Sequence, residues 1–337
     1  MMERFDPPWE RPEWRAEALA WIEEQLAERG LSIMGAVEQP HIRPWSTVMK
    51  LPTERGYFYF KAGGPTQAFE PGLLRLLNER RPNDVLPLLA GDESRGWSLL
   101  PEGGVTLRSN SGDKPNIEAW KMILLDYASL QIATTEWKES LLHGGVPDRP
   151  VSSLHNLYNA ILDDEEIILV NDDEDGLTEK ELSTLKAGTT IVADMLAELD
   201  DFGIPDALEH GDLHDANVFA MNGRYKIFDW GDASLTHPFF TLLIPLRFTA
   251  DRLGVSEYDL PGPLIEMRDA YLRSWLDFSS FENLLDAWDL AHHLAKFVRA
   301  IGWYDVVKQT APQWVAERHS SVSGWFKEFL NHPTKRF

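Results

Sequence analysis

The residues best suited to chemistry lie in one segment, 210–232, where carboxylates, histidines and an amide recur at short spacing. Asp212, Asn217 and Asp229 are its hard oxygen donors. Phosphoryl transfer from a nucleotide needs such donors, because magnesium on the phosphates prefers a few oxygen ligands. It also needs a carboxylate that orients the attacking hydroxyl and accepts its proton. The segment therefore contains the side chains that this chemistry requires.

A small hairpin is predicted to bring these donors together. Strands are expected at 217–221 and 225–229, joined by Asn222-Gly223, and an Asn-Gly pair between apolar runs favours a tight β-turn. Asp212 then lies on the loop before the first strand, Asn217 at its start and Asp229 at the end of the return strand. Two carboxylates and an amide oxygen are thus expected to converge.

This segment resembles the catalytic motif of the aminoglycoside phosphotransferase family, a group of small-molecule kinases similar in fold to protein kinases. The family pattern is His-Gly-Asp-x-His-x-x-Asn followed by a hydrophobic-Asp-Trp or Asp-Phe pair and a third acidic residue. The sequence matches at His210, Gly211, Asp212, His214, Asn217, Asp229 and Trp230. The resemblance implies that Asp212 is the catalytic base, that Asn217 and Asp229 are the magnesium ligands, and that His210 supports the loop without reacting.

The resemblance also implies a lysine for the nucleotide phosphates and a glutamate that holds it. Lys61 ends the aromatic strand predicted at 57–61, which is the place that the resemblance requires. Its partner is expected on the helix predicted at 69–81. Glu70 is preferred because the Glu-x-x-Leu-Leu spacing is similar to that of the family, and Glu79 is the alternative.

The nucleotide base is expected at an interlobe hinge, residues 99–103, with Leu100 and Glu102 beside it. Backbone groups recognise the base in such a hinge, so the side chains leave ATP and GTP both open. The turn expected to cover the phosphates, 39–47, has no glycine, which restricts close backbone approach. Ser46, Thr47 or Arg43 is predicted to make those contacts instead.

The surrounding elements predict an α+β, two-lobed, protein-kinase-like fold. Residues 1–102 form the N-terminal lobe, with a helix at 12–29, strands at 32–39, 45–50, 57–61, 85–90 and 96–100, and the helix at 69–81. Residues 103–337 form a mainly helical lobe, with helices at 117–140, 153–162, 178–202, 238–252, 263–277 and 282–301. Thr178 and Glu181 predict a capping box, and Trp303 is expected in the core.

Charge and composition narrow the partners. The formal net charge is −22, and a surface this acidic repels nucleic-acid phosphates. No cysteine is present and no apolar run could span a bilayer, so we expect a cytoplasmic protein that binds neither nucleic acid nor membrane. The acidic run 163–175 could attract a cationic acceptor or be a solvated loop. Oligomeric state is left open.

The predicted function is transfer of the γ-phosphate of ATP or GTP, with Mg²⁺, to a hydroxyl of a small molecule. A peptide acceptor is disfavoured, because few residues separate Asp229 from the apolar stretch 239–246 and no long regulatory loop fits there. Two alternatives remain. One is a non-catalytic, kinase-like binding protein. The other is a metal-dependent hydrolase that uses His210, Asp212 and His214 on one face of an extended segment.

Overall fold

In a computed structural model, residues 4–168, 176–221 and 223–333 are described. The N-terminal lobe is built around a five-stranded antiparallel sheet in the order β1-β2-β3-β5-β4. Its elements are α1 (Pro12–Ala27), β1 (Glu38–Ile42), β2 (Ser46–Thr53), β3 (Gly56–Gly63), α2 (Glu70–Arg80), β4 (Ala90–Asp92) and β5 (Trp97–Pro101). Strand β3 lies between β2 and β5, where Lys61 pairs with Val48 and Ser98. The lysine is therefore held on the central strand of the sheet.

The first strand lies further along the chain than the pattern predicted. Residues 32–37 form no strand, and only Ile33 makes an isolated bridge, to Thr53. Strand β1 instead runs through Pro40 with a register shift. It is an edge strand, where a proline costs no ladder hydrogen bond because one side of the strand has no partner.

The strand predicted at 85–90 is likewise displaced. Val85 pairs with Ile227 of the other lobe, and the Ile227 amide donates to the carbonyl of Asp84 at 2.9 Å. The strand of this region, β4, begins only at Ala90. A contact distant in sequence therefore replaced local strand pairing.

The C-terminal lobe is mainly helical. Its helices are α3 (Leu107–Ser111), α4 (Ile117–Thr134), α5 (Lys138–His143), α6 (Val151–Leu162), α7 (Glu179–Ala187), α8 (Thr189–Asp201), α9 (Leu243–Leu253), α10 (Gly262–Arg273), α11 (Phe281–Gln309), α12 (Pro312–Val315) and α13 (His319–Leu330). The capping box of Thr178 and Glu181 begins α7 as predicted. The helix predicted at 178–202 is divided at Gly188 into α7 and α8, and α11 extends eight residues beyond the predicted end at 301.

Short strands in this lobe position the segment 210–232. They are β6 (Val105–Thr106), β7 (Ala207–Glu209), β8 (Val218–Met221), β9 (Arg224–Ile227) and β10 (Ser234–Thr236). Strands β8 and β9 form the predicted hairpin, although Asn222 of its turn lies outside the described residues. Strands β7 and β10, which the pattern did not predict, pair antiparallel on either side of this segment. They fix both of its ends.

Two apolar clusters hold the molecule together. The smaller packs α1 against the N-terminal sheet. The larger fills the helical lobe and includes Leu73, Leu74 and Leu77 of α2, which pack with residues of the C-terminal lobe. The helix that carries Glu70 is therefore anchored to both lobes. No helix among the described residues has the length and apolar character to cross a bilayer.

Candidate active site

A cleft of about 650 Å³ separates the lobes and collects most of the predicted residues. Its walls include Ser46, Lys61, Glu70, Leu100, Asp212, Asn217 and Asp229, together with Arg43, Trp45, Asp232, Arg299 and Trp303. Thr47, Glu102 and His210 are not part of its lining. Residues far apart in sequence therefore share one solvent-accessible chamber of the size that small ligands occupy.

Lys61 joins the lobes at the bottom of this cleft. Its ammonium lies 2.5 Å from Glu70 Oε2 and also pairs with Asp229. The other oxygen of Glu70 accepts the backbone N–H of Trp230 at 2.9 Å. Glu79 is exposed near the far end of α2, so Glu70 is the partner of Lys61.

Lys61, Glu70 and Asp229 form a charged triad in which the ammonium of Lys61 attracts the two carboxylates. Burial opposes ionisation of Lys61, but the charges of Asp229 and Glu70 outweigh it and raise its pKa above the ordinary value. Burial likewise disfavours the Asp229 carboxylate, yet the ammonium of Lys61 lowers its pKa. Burial raises the pKa of Glu70, the most enclosed of the three. Lys61 is thus a fixed positive charge facing the cleft.

The backbone is unusual where the segment 210–232 passes the cleft. Asp229 has φ +65°, a conformation that non-glycine residues seldom adopt and that is concentrated at functional sites. Gly211 has φ +80°, and a Cβ there would lie 2.4 Å from the carbonyl oxygen of Asp232. The motif glycine is therefore required by close backbone packing beside Asp212.

His210 lies beneath the loop that carries Asp212. It is fully buried, its Nε2 lies 3.0 Å from the Phe228 carbonyl, and its Nδ1 accepts the Asp212 N–H at 3.2 Å. Burial lowers its pKa, so the ring is neutral at pH 7. Because both ring nitrogens are engaged, His210 cannot bind a metal as the hydrolase alternative requires. No cluster of three or more His, Asp or Glu in the described ranges has the arrangement of a metal site.

The donors around Asp212 suit magnesium. Asn217 donates its amide Nδ2–H to the Asp212 carbonyl at 2.9 Å, which leaves its Oδ1 for a ligand. Asp229 pairs with Lys61 through Oδ1 and has a second oxygen. An amide oxygen and a carboxylate oxygen on the cleft wall match the hard-ligand preference of Mg²⁺. The residues present therefore fit the predicted ion.

The turn 39–47, which was predicted to cover the phosphates, differs in part from its prediction. The hydroxyl of Thr47 is buried, donates to the His41 carbonyl at 2.7 Å and accepts from Gln39 at 2.9 Å. It serves the loop's own structure, whereas Ser46 and Arg43 line the cleft. Trp45 at the loop tip packs edge-on against Trp303, with 5.3 Å between ring centroids. Trp303, expected in the core, is a cleft residue.

At the hinge, backbone and aromatic groups dominate. Leu100 lines the cleft, while the Glu102 side chain is exposed and its backbone N–H donates to the Tyr57 carbonyl at 3.0 Å. Phe219 and Phe228 stack beside it with 4.1 Å between centroids. A Cβ at position 103 would lie 2.1 Å from the Phe219 ring. Glycine there lets the chain turn close to this aromatic wall.

Two cleft residues that hold the loop around Asp212, Arg299 and Gln67, were not assigned by sequence reasoning. Arg299 of α11 reaches Asp212 and Asp232, and Gln67 donates to Asp232 at 3.0 Å. Arg299 and Gln67 lie outside the motif and have no spacing signal of their own. Asp232 follows the motif closely, but only the fold shows which groups it contacts.

The structure describes only part of the acidic run 163–175. Residues 169–175 lie outside the described residues. Asp163, Asp164 and Glu166 pair with Lys186, Lys308 and Arg4 respectively, and none of these acids lines the cleft. The described half of the run is therefore largely occupied by basic partners of the same chain.

Glu209, one strand residue before His210, predicts a pH effect. Burial raises its pKa to about 7, while the Gly211 N–H and the charges of Arg299 and Arg149 oppose that rise. Below about pH 4.5 the Glu209 carboxyl is protonated in both the folded and the unfolded state. As the pH rises through 7, the folded state must bear a buried anion. Glu209→Gln should therefore gain stability relative to wild type between pH 5 and 8, by on the order of 3 kcal/mol.

Denaturant unfolding at both pH values measures this difference, with Glu79→Gln, an exposed site, as the control for the substitution itself. An equal effect of Glu209→Gln at pH 5 and pH 8 would contradict the assignment.

The fold and the cleft define a class: the two-lobed, protein-kinase-like α+β fold, as predicted. No family model matches the chain, and no curated protein sequence does. Among solved structures, similarity extends to a Plasmodium vivax ethanolamine kinase, with TM-score 0.58, 13% identity and coverage of 85% of this chain and 80% of that one. A choline/ethanolamine kinase family protein from Mesorhizobium loti gives 0.58, 10% identity and coverage of 94% and 96%.

A further similar structure is the GDP complex of aminoglycoside 2′-phosphotransferase-IIIa, with TM-score 0.56, 13% identity and coverage of 93% of this chain and 98% of that one. At such identities the likeness establishes the fold.

Proposed function

We propose that this protein transfers the γ-phosphate of ATP or GTP to a hydroxyl group of a small molecule. One observation carries the proposal: Asp212, Asn217 and Asp229 line the same cleft as the Lys61–Glu70 ion pair, and Asp229 pairs directly with Lys61. A positive charge for phosphates, oxygen donors for Mg²⁺ and a carboxylate for an alcohol are the components of phosphoryl transfer. The GDP bound to a protein of the same fold agrees with a nucleotide in this cleft.

Each residue then has a task. The nucleotide base lies at the hinge near Leu100, and Lys61 binds the phosphates, with Ser46 and Arg43 above them. Asn217 and Asp229 hold Mg²⁺, which neutralises phosphate charge when bound. Asp212 orients the acceptor hydroxyl for in-line attack and accepts its proton. Positioning and charge neutralisation provide most of the acceleration in such reactions.

The acceptor is proposed to be a small alcohol. The similar folds include phosphotransferases named for ethanolamine, choline and aminoglycosides, which are alcohols that carry an amine or a quaternary ammonium group. Asp212 and Asp232 give the acceptor side of the cleft carboxylates that a cationic alcohol could face. A panel of amino alcohols, amino sugars and neutral sugars, assayed for Mg²⁺-dependent nucleotide consumption, would identify the class.

Nucleotide binding is tested first by thermal unfolding. ATP or GTP with Mg²⁺, at 100 times its dissociation constant, should stabilise the protein by about 2.7 kcal/mol, seen as a rise of several degrees in Tm. Asp229→Asn should lose the Mg²⁺-dependent part of the rise. Stabilisation by metal without nucleotide would favour the hydrolase, and binding without turnover of any acceptor would favour the non-catalytic alternative.

A further inference from the structure

The guanidinium of Arg299 spans the catalytic loop. Its Nη1 donates to the Gly211 carbonyl at 2.6 Å and to Asp232 Oδ2 at 3.0 Å, and its Nη2 donates to Asp212 Oδ1 at 2.8 Å. One side chain thus binds the backbone before the catalytic carboxylate, the carboxylate itself and a second acid. The planar fork of arginine suits this arrangement, because its donors lie at fixed angles.

The surroundings hold Arg299 rigidly. Its side chain is 14% exposed, and Asp212 and Asp232 raise its pKa although burial opposes its charge. Asp232 is fixed from the opposite side by Gln67. Arg299 also lies on α11 one turn before Trp303, which packs on the N-terminal lobe. The position of the guanidinium is therefore set by the fold and not by solvent.

The two oxygens of Asp212 consequently differ. Oδ1 is held by Arg299 at 2.8 Å. Oδ2 is held less closely: within the described ranges its polar neighbours His214 Nε2 and Asn217 Nδ2 both lie at 3.5 Å. Since a carboxylate has two equivalent oxygens in water, anchoring one of them fixes the direction of the other. The anchored geometry leaves Oδ2 to meet an acceptor hydroxyl.

We infer that Arg299 is the positioning residue of the reaction: it pins Asp212 Oδ1 so that Oδ2 faces the acceptor hydroxyl. This inference rests on the proposed function. Arg299 also has an electrostatic effect. Asp212 and Asp232 repel each other and the incoming phosphates, and the guanidinium of Arg299 is the cation between them. Lysine cannot replace it, since one ammonium does not reproduce the three directed hydrogen bonds.

The test compares Arg299→Lys with the same substitution in another buried arginine–aspartate pair. Arg149 is 13% exposed and donates to Asp305 at 2.6 Å, so Arg149→Lys perturbs an equally buried arginine–aspartate pair that does not touch Asp212. Hydrolysis of Mg-ATP and Mg-GTP, with water as acceptor, supplies kcat and KM. Calorimetric titration with Mg-ADP supplies nucleotide affinity, and thermal unfolding supplies stability.

Both lysine variants should lose similar stability. Arg299→Lys should lower kcat by about 10–100-fold, comparable to other losses of orientation, with KM and Mg-ADP affinity within about twofold. Arg149→Lys should keep the wild-type kcat. Guanidinium ion should partly restore activity to Arg299→Ala but not to Asp212→Asn, because only the first variant leaves a site of its shape beside an intact carboxylate.

Equal kcat for the two lysine variants, or a loss in Arg299→Lys confined to KM, would overturn the inference. If Arg299→Ala does not fold, the lysine comparison alone decides. Failure of the proposed function is distinct: Asp212→Asn would then keep wild-type turnover, whatever Arg299 does.

Discussion

Asp212→Asn is expected to lower turnover by about 10²–10⁴-fold, the usual cost of losing a positioned acid–base group. Asparagine keeps the shape and retains an oxygen for Arg299, yet it cannot accept a proton from the acceptor. The carboxylate is 28% exposed in the cleft, so the free energy of unfolding should change little. Steady-state kinetics with the acceptor found by the panel, or with water, measures the loss.

The matched control for this variant is Asp305→Asn. Asp305 also pairs with an arginine and is 35% exposed, but it is not part of the main cleft lining. Its substitution should leave turnover within about twofold of wild type. An Asp212→Asn protein with most of its activity would show that another group orients the acceptor and would remove the mechanism proposed above.

Lys61→Met is expected to have the second large effect, a loss of roughly 10²–10³-fold in kcat/KM, similar to removal of other electrostatic groups that face transferring charge. The methionine provides no cation for the phosphates. It also leaves the buried carboxylate of Glu70 without its cation, and breaking a buried ion pair costs about 3–5 kcal/mol. Both nucleotide affinity and stability should therefore fall.

A double variant separates these consequences. In Lys61→Met/Glu70→Met the unpaired carboxylate of Glu70 is removed, so much of the stability should return while kcat/KM stays low. Lys296→Met is the matched control, because Lys296 is fully buried 3.6 Å from Glu257 and does not line the cleft. It should lose stability without a change in nucleotide affinity. Recovery of activity in the double variant would contradict the role given to Lys61.

Local sequence predicted the hairpin of the segment 210–232 well. The spacing of Asp212, Asn217 and Asp229 around a hairpin needs only short-range pairing, and β8 and β9 form that hairpin. The capping box at Thr178 was predictable for the same reason, since its hydrogen bonds join residues three apart. Features whose hydrogen bonds join residues close in sequence can therefore be predicted from the local sequence.

Prediction failed where distant partners decide the outcome. Strand character at 85–90 gave way to a pairing of Val85 with Ile227, and Pro40 entered β1 because that strand lies at an edge. Thr47, a candidate phosphate contact by position, has its hydroxyl occupied by the loop itself. Neither the edge of a sheet nor the direction of a side chain is visible in a single segment.

The sequence by itself determined the chemical groups and their local geometry: the acids, the amide and the lysine, each on a turn or strand that its neighbours specify. Only the tertiary structure decided which groups meet. It chose Glu70 for Lys61, placed Trp303 in the cleft and brought Arg299 onto Asp212. The physical reason is that hydrogen bonds and charges act over a few ångströms, while the packing of α11 and α2 against the rest of the core sets those distances.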